Sequence, residues 1–195
     1  PMEALQQKGY DVTFLPVYKK GKIDLQQLQD AIREDNILVS IILVNNETGV
    51  IQDAEKIGKL VKQKNPHTLF HVDAVQAFGK YPIDVEKMKI DLLTMSGHKI
   101  NGPKGVGMLY KREGVKTKPY ILGGGQQQGQ RSGTENGAGV AGLGVAADIC
   151  FQNMKKNQET VLEIKKTLTE GILEMDNVQI NGDSLQEGSP YVLNV

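Results

Sequence analysis

The chain has 195 residues, 39% hydrophobic and 24% charged, and its 23 basic residues balance its 23 acidic ones. Zero net charge gives no broad attraction to nucleic acid, and no apolar stretch approaches the roughly 20 residues that a membrane-spanning helix needs. The single cysteine, Cys150, excludes an internal disulfide framework and favours a reducing compartment, so we expect a cytoplasmic protein.

Strands and amphipathic helices alternate along the first part of the chain. A helix is predicted from residue 2 to residue 8, and Asp24 and Asp53 are predicted N-caps of two further helices. The apolar segment 37–44 is typical of a strand that is covered on both faces. The predicted strands are 12–17, 37–44, 68–72, 91–95 and 106–110, with a helical turn at 85–89. This order predicts an α/β fold with a mostly parallel sheet and helices on both faces.

The pattern changes after Thr134. Small residues through Ala147 predict a closely packed helix, residues 151–175 a longer polar helix, and 178–180 with 191–195 the start of a second sheet. We therefore predict a large domain over residues 1–154 and the beginning of a smaller α+β domain over 155–195. Because the chain opens inside a helix and closes on an apolar strand, we expect it to be an internal piece of a longer protein.

Polar side chains follow three of the predicted strands. The segments are Asn45–Gly49 after strand 37–44, Asp73–Gln76 after strand 68–72, and Ser96–Lys99 after strand 91–95. Ligands of open α/β sheets bind outside the carboxyl ends of the strands, so these segments predict a binding site.

These residue types suit pyridoxal phosphate. The amine of Lys99 can form a Schiff base with an aldehyde, and the carboxylate of Asp73 can keep a pyridine nitrogen protonated. The amide of Gln76 can bond the 3′-oxygen, while Ser96 and His98 can hold a phosphate. Three of the candidates also have a structural alternative: Lys99 could be a solvated lysine, and Asp73 and Asn46 could be turn residues.

Other motifs favour structural roles. Gly142–Ala147 fits the dinucleotide pattern of a dehydrogenase but does not follow a strand, so helix packing is the better interpretation. Cys150 lies on a predicted helix without a histidine nearby and is interpreted as a packing residue. His67 and His71 straddle a strand, so we expect no metal site. The glycine-rich run before Thr134 could bind an anion, with Thr134 as helix cap and ligand.

Four sequence blocks together resemble the cysteine desulfurases of the nitrogen-fixation and iron–sulfur-cluster type. The blocks are Asn45–Gly49, His71–Gln76, Ser96–Gly105, and Gly123–Gly125 together with Arg131–Asn136, and they match in order over essentially the whole chain. These proteins are class V enzymes that use pyridoxal phosphate, so the resemblance implies a fold-type I transferase-like large domain.

The resemblance implies a role for each matching residue. Lys99 resembles the Schiff-base lysine, Asp73 the partner of the pyridinium, and Gln76 the residue bonded to the 3′-oxygen. The remaining matches are Asn46 beside the ring, Ser96 and His98 at the phosphate, and Thr134 at the phosphate of a partner subunit. The last of these implies a homodimer with shared sites.

The family reaction converts L-cysteine to L-alanine and passes the sulfur, as an enzyme persulfide, to an acceptor such as an iron–sulfur scaffold protein. In the family the nucleophilic cysteine and an arginine that binds the substrate carboxylate lie beyond Val195. We therefore expect this chain alone not to release sulfide. The run at 126–128 also departs from the family pattern. The alternatives are a selenocysteine lyase, an aminotransferase of the same class, or a non-catalytic fragment that binds the cofactor.

Overall fold

A computed structural model describes residues 1–18, 20–182 and 187–195. The elements are α1 (Met2–Gln6), α2 (Leu25–Ala31), β1 (Leu38–Ile42), α3 (Ala54–Lys64), β2 (Leu69–Asp73), β3 (Leu92–Ser96), a 3₁₀ helix (Gly97–Ile100), β4 (Gly107–Lys111), a second 3₁₀ helix (Gln127–Gly129) and α4 (Gly137–Leu173). The four strands form one sheet in the order β1-β2-β3-β4. The first three are parallel and β4 is antiparallel to β3. The predicted mostly parallel α/β sheet is therefore confirmed.

Side-chain caps begin α2 and α3, as the sequence predicts. The Asp24 carboxylate accepts hydrogen bonds from the Gln26 and Gln27 amides at 2.6 and 3.0 Å. The Asp53 carboxylate accepts one from the Lys56 amide at 3.0 Å. These bonds satisfy amides that have no partner within the helix, which is why the helices start where they do.

The core lies between one face of the sheet and α3. Phe70, Val72 and Leu93 alternate with polar residues along β2 and β3 and are buried against Ile57 and Val61 of α3. Such alternation is the period of a strand with one apolar face.

Gly58 lets α3 approach the 84–90 turn. A Cβ atom added there would overlap the carbonyl oxygen of Met88 and crowd the Phe70 ring. Glycine at this position therefore sets the distance between α3 and the turn before β3.

The other face of the sheet carries polar side chains toward the carboxyl ends of its strands. We call this surface the polar face; its members are Ser40 of β1, His71 and Asp73 of β2, and Thr94 and Ser96 of β3. The register pairs Ser40 with His71 and Asp73 with Thr94, which places all five on the same side.

The structure corrects three predictions about strands. Residues 12–17 form no strand, only an isolated bridge between Val17 and Ile23, and their apolar side chains line a cavity of about 600 Å³ beside β1. Segments 178–180 and 191–195 form no strand, and the one bridge near them among the described residues joins Asn181, just after the first segment, to Asn194. Ile37 and Ile42 are 66% and 48% exposed, because β1 is the outer described strand on its side of the sheet and is not covered on both faces.

Helix α4 joins the two helices that the sequence predicts separately. It runs without a break for 37 residues, through the predicted domain boundary between residues 154 and 155, and the division into domains stays a prediction. Its cap is Asn136, whose side chain accepts a hydrogen bond from the Gly139 amide at 3.0 Å. The prediction of Thr134 as the cap is therefore wrong, because the helix starts at Gly137, beyond the reach of the Thr134 side chain.

The Gly142–Ala147 run lies inside α4, where it packs and does not form a dinucleotide loop. A Cβ atom on Gly142 would lie 2.7 Å from the Pro103 ring, and Ala146 is buried with Met95 and Ile100. Within the described ranges, no helix is both long enough and apolar enough to cross a membrane.

Candidate active site

Residues from β2, β3 and the following 3₁₀ helix meet at one edge of the sheet. Asp73 ends β2 and Ser96 ends β3, and the 3₁₀ helix starts directly after Ser96 with His98 and Lys99 exposed. Asp73 is paired with Thr94, so Ser96 lies two residues, about 7 Å, further along β3. The structure thus brings together the carboxylate, hydroxyl, imidazole and amine that the sequence indicates.

Within the described part of the chain, Asp73 uses one of its two carboxylate oxygens in a hydrogen bond. Its Oδ1 accepts a hydrogen bond from the Val75 amide at 2.9 Å, which fixes the half-buried side chain. Among the described residues, no donor or cation engages the other oxygen. The turn role that the sequence leaves open is real, and it still leaves one oxygen for a ligand.

Gln76 is oriented by Lys80, which the sequence analysis did not single out. Lys80 Nζ donates to Gln76 Oε1 at 3.1 Å, so the amide nitrogen of Gln76 is left as a donor. Burial lowers the pKa of Lys80, and the positive charge of Lys99 lowers it further. The two ammonium groups are therefore close enough to repel each other, and Lys99 has a cationic neighbour. The spacing of four residues between Gln76 and Lys80 was the available signal.

The 3₁₀ helix that carries Lys99 is fixed at both ends. The Gly97 amide donates to the Val106 carbonyl at 2.8 Å, and Ile100 packs against Ala146 of α4. Ser96 Oγ lies 2.8 Å from His98 Nδ1, which pairs a hydroxyl with an imidazole. Across the described part of the chain, no hydrogen bond or ion pair engages the Lys99 amine. A free amine therefore stands beside two groups that suit an anion.

Asn45, and not Asn46, shapes the turn after β1. Its side-chain oxygen accepts hydrogen bonds from the Glu47 and Thr48 amides, both at 2.9 Å, and from the Thr48 hydroxyl at 3.1 Å. Asn46 is exposed and lies within this turn, and its side chain makes no hydrogen bond to the described residues. The turn position that the sequence allowed for Asn46 is therefore observed, whereas the hydrogen bonds that hold the turn are made by the Asn45 side chain.

Thr134 and Cys150 make no hydrogen bond to the other candidate residues within the described ranges. Thr134 is exposed three residues before α4, and no hydrogen bond between described residues joins it to the other candidates. Cys150 is half-buried in the cluster around Ile100, with Sγ 3.7 Å from the Ile100 carbonyl oxygen. No metal-binding group of histidine, cysteine and carboxylate side chains occurs within residues 1–18, 20–182 and 187–195.

His71 is the second residue whose position the sequence analysis missed. Its Nδ1 lies 2.7 Å from Ser40 Oγ and its Nε2 lies 3.2 Å from Thr94 Oγ1. Burial lowers the pKa of His71, and the negative charge of Asp73 opposes that shift. The alternation that places His71 and Asp73 on the same face of β2 was visible in the sequence. The two hydrogen-bond partners of His71, however, depend on the register between the strands.

The fold and this edge of the sheet agree with the comparisons to known proteins. The aminotransferase class-V family model matches residues 1–195, so the chain belongs to that family. Members of the family depend on pyridoxal phosphate.

Comparisons with individual proteins give a more specific similarity than the family does. The chain is 44% identical, over 93% of its length, to a cysteine desulfurase IscS of Methanosarcina thermophila. Its fold matches a NifS-like protein with a TM-score of 0.93 and 40% identity, over 97% of this chain and 51% of the other. A structure of SspA in complex with cysteine matches 75% of this chain and 42% of the other, with a TM-score of 0.72 and 44% identity. The chain covers 45% of the Methanosarcina protein and thus spans about half the length of the relatives it matches.

Proposed function

We propose that the protein is a pyridoxal-phosphate-dependent cysteine desulfurase, and that this chain forms the cofactor-binding core. The observation that carries the proposal is at one edge of the sheet: among the described residues, one oxygen of Asp73 and the amine of Lys99 have no hydrogen-bond or ion-pair partner. The names of the relatives favour this function over the lyase and aminotransferase alternatives.

The donor set fits the cofactor group by group. A free carboxylate oxygen suits the ring nitrogen, a free amine suits the aldehyde, and an amide donor suits the 3′-oxygen. Asp73, Lys99 and Gln76 are the residues that would supply them. Once bound, the cofactor supplies a ring that accepts electrons from the α-carbon of an amino acid.

Each residue then has a physical task. Asp73 holds a proton on the ring nitrogen by its negative charge, and Lys80 holds the Gln76 amide with its nitrogen as the donor. With the cofactor bound, Lys99 would be its point of covalent attachment, and its amine would be available to move the α-proton of the substrate. Asn46 would lie beside the ring.

The phosphate would be held by Ser96 and His98. Their mutual hydrogen bond fixes both side chains, and a dianion accepts hydrogen bonds from a hydroxyl and an imidazole. Thr134 would reach the phosphate bound by a partner subunit, which makes the proposed assembly a homodimer. Its exposure, and the absence of a hydrogen bond to the other candidates among the described residues, support this role.

The substrate is proposed to be L-cysteine, with L-alanine as product and a sulfur-acceptor protein, such as an iron–sulfur scaffold, as partner. The relative solved with cysteine supports the substrate. The balanced charge and single cysteine support a cytoplasmic protein that binds neither nucleic acid nor membrane.

The test uses the full-length apoprotein and added pyridoxal phosphate. We expect a visible absorbance band in the wild type and in Lys104→Ala, an exposed lysine five residues further on, and no band in Lys99→Ala. L-cysteine is then added and alanine is measured. A band that persists in Lys99→Ala, or a bound cofactor with no alanine formed, would contradict the proposal.

A further inference from the structure

We propose that Tyr191 is a positioning residue for the cofactor site: its ring holds the ammonium group of Lys80, and Lys80 in turn fixes the side-chain amide of Gln76. The inference deepens the proposed function and rests on it, because Gln76 acts there through a bound cofactor. Nothing in the comparisons gives Tyr191 a role.

The Lys80 ammonium group lies between Gln76 and Tyr191. It donates a hydrogen bond to Gln76 Oε1 at 3.1 Å, and it lies 5.3 Å from the centre of the Tyr191 ring. That distance is within the roughly 6 Å over which the negative face of an aromatic ring attracts a cation. Direct contacts therefore join Tyr191, from a distant part of the sequence, to a candidate cofactor residue that follows β2.

Lys80 needs such a partner to keep its ammonium group in place. The residue is half-buried, and among the described residues no carboxylate forms an ion pair with it. Burial lowers the pKa of Lys80, the positive charge of Lys99 lowers it further, and Cys150 acts in the opposite direction. Burial and repulsion by Lys99 thus both favour movement of the ammonium group toward solvent. The Tyr191 ring opposes that movement, because it stabilises the cation beside Gln76.

An aromatic ring suits this position better than a carboxylate does. A carboxylate beside Lys80 would also attract the ammonium form of Lys99, which would oppose the loss of a proton that attack on an aldehyde requires. The ring attracts a cation through its quadrupole and adds no formal charge to the site. Tyr191 can therefore hold one lysine and leave the other available for the cofactor.

The hydrogen bond from Lys80 decides which way the Gln76 amide faces. An ammonium group has three donors and no acceptor, so it bonds the oxygen of the amide and not its nitrogen. Among the described residues, Lys80 is the one group hydrogen-bonded to the Gln76 side chain. If the ammonium group moves away, no other described contact selects the orientation that leaves the amide nitrogen as a donor.

Tyr191 is itself held in place through Ser189, which is 1% exposed. The Ser189 hydroxyl accepts hydrogen bonds from the Tyr81 hydroxyl at 2.7 Å and from the Tyr191 amide at 3.3 Å. The Ser189 amide donates to the Gly49 carbonyl at 2.7 Å, and the Ser189 carbonyl accepts from Lys165 at 2.8 Å. The rings of Tyr81 and Tyr191 also meet edge to face, with centroids 6.4 Å apart. The ring that contacts Lys80 therefore has a fixed position.

The first experiment measures the reactivity of Lys80 in the full-length apoprotein, before any cofactor is added. Acetic anhydride labels accessible, neutral amines, and mass spectrometry gives the rate at each lysine. We expect Tyr191→Leu to raise the acetylation rate of Lys80 about threefold or more, because the ring no longer stabilises the cation. Tyr191→Phe keeps the ring and should stay within about twofold of the wild type. An unchanged rate at Lys80 in Tyr191→Leu overturns the proposal.

The second experiment asks whether Tyr191 acts through Gln76. In the full-length protein, Tyr191→Leu should weaken the affinity for pyridoxal phosphate about threefold or more, and Tyr191→Phe should restore it. In a Gln76→Ala background the same Tyr191→Leu change should have almost no effect, because the group through which Tyr191 acts is gone. A ring that only stabilised the fold would weaken binding equally in both backgrounds. Equal weakening therefore overturns the inference.

The matched control is Tyr10→Leu, at an exposed tyrosine, which should leave both measurements unchanged. If Tyr191→Leu fails to fold, pentafluorophenylalanine at position 191 keeps the shape of a ring but reverses the charge of its face. The acetylation rate of Lys80 should then rise as described, and an unchanged rate overturns the inference. If the wild type itself binds no cofactor, the proposed function fails, whereas the acetylation rates still decide whether Tyr191 holds Lys80.

Discussion

The two carboxylate oxygens of Asp73 differ in their surroundings, and we propose that one has a structural role and the other a role toward the cofactor. One oxygen accepts from the Val75 amide, and the other has no partner in the described part of the chain. An asparagine can keep the first contact but lacks the charge. The two roles can therefore be separated by a single substitution.

We predict that Asp73→Asn keeps the fold but lowers alanine formation from L-cysteine in the full-length protein on the order of 100-fold or more, because the ring nitrogen loses its counter-charge. Asp84→Asn is the control, because Asp84 likewise accepts from backbone amides, those of Glu86 and Lys87. Steady-state rates and thermal unfolding of both variants check the prediction. An Asp73→Asn rate within a few-fold of the wild type contradicts it.

His71 makes stability depend on pH in a known direction. Its folded-state pKa lies below the unfolded value, so the unfolded chain takes up a proton first as the solution is acidified. Above the pKa that His71 has in the unfolded chain, the neutral ring contributes its full stabilisation of the folded protein. That stabilisation is lost as the pH falls below this pKa.

We predict that between pH 8 and pH 5 the wild-type apoprotein loses more stability than His71→Gln, which has no group titrating there. His67 and His98 remain in both proteins, so the difference isolates His71. Thermal unfolding at both pH values measures it. Equal losses in the two proteins refute the depressed pKa.

The sequence predicts the chemistry of the site better than its geometry. Asp73, Ser96 and Lys99 were predicted because each lies at or just beyond the end of a strand, and parallel strands bring their carboxyl ends together. Lys80 and His71 were missed because their importance depends on side-chain contacts. No pattern in a single sequence reveals that Ser40 and Thr94 lie on either side of His71.

At the scale of elements, a sequence pattern predicts the structure correctly where that structure depends only on residues nearby in the chain. Asp24 and Asp53 cap the helices they were predicted to cap, because a cap needs only its own first turn. The segment 12–17 has an apolar strand-like pattern but finds no ladder partner among the described residues. Two predicted helices merge in α4 because neither proline nor a capping residue stops the first one.

Gly58 allows a test of the packing between elements. We predict that Gly58→Ala lowers the free energy of unfolding of the apoprotein by about 1–3 kcal/mol, because the new methyl group meets the backbone of Met88. Urea unfolding measures the change.

Gly171→Ala is the matched control in a helix, since nothing lies within 4 Å of an added Cβ there. It should be neutral or stabilising by up to about 1 kcal/mol, from helix propensity alone. If both variants unfold alike, the close approach of α3 to the Met88 carbonyl is not real.

At the scale of the whole molecule, the proposed homodimer predicts complementation between two defective subunits. Lys99→Ala lacks the covalent amine and Thr134→Val lacks the hydroxyl proposed to serve the partner's phosphate. If the sites are shared, a mixed dimer has one intact site and one doubly defective site. We expect mixing followed by subunit exchange to restore up to about half of the wild-type activity in each mixed dimer.

The measurement is alanine formation after co-refolding, with each variant refolded alone as the control. Restoration requires that Thr134 and Lys99 of one site come from different subunits. Activity no higher than the average of the two separate variants contradicts the shared site.

Because α4 is unbroken, insertions and deletions of residues within it are restricted. The helix extends about 55 Å. Its first half packs against the 3₁₀ helix that carries Lys99. In its second half, Lys165 donates a hydrogen bond to the Ser189 carbonyl at 2.8 Å. A codon inserted between these two contacts would rotate everything after it by about 100°. Insertions and deletions should therefore be eliminated by selection across residues 150–165, even where single replacements on the exposed side are tolerated.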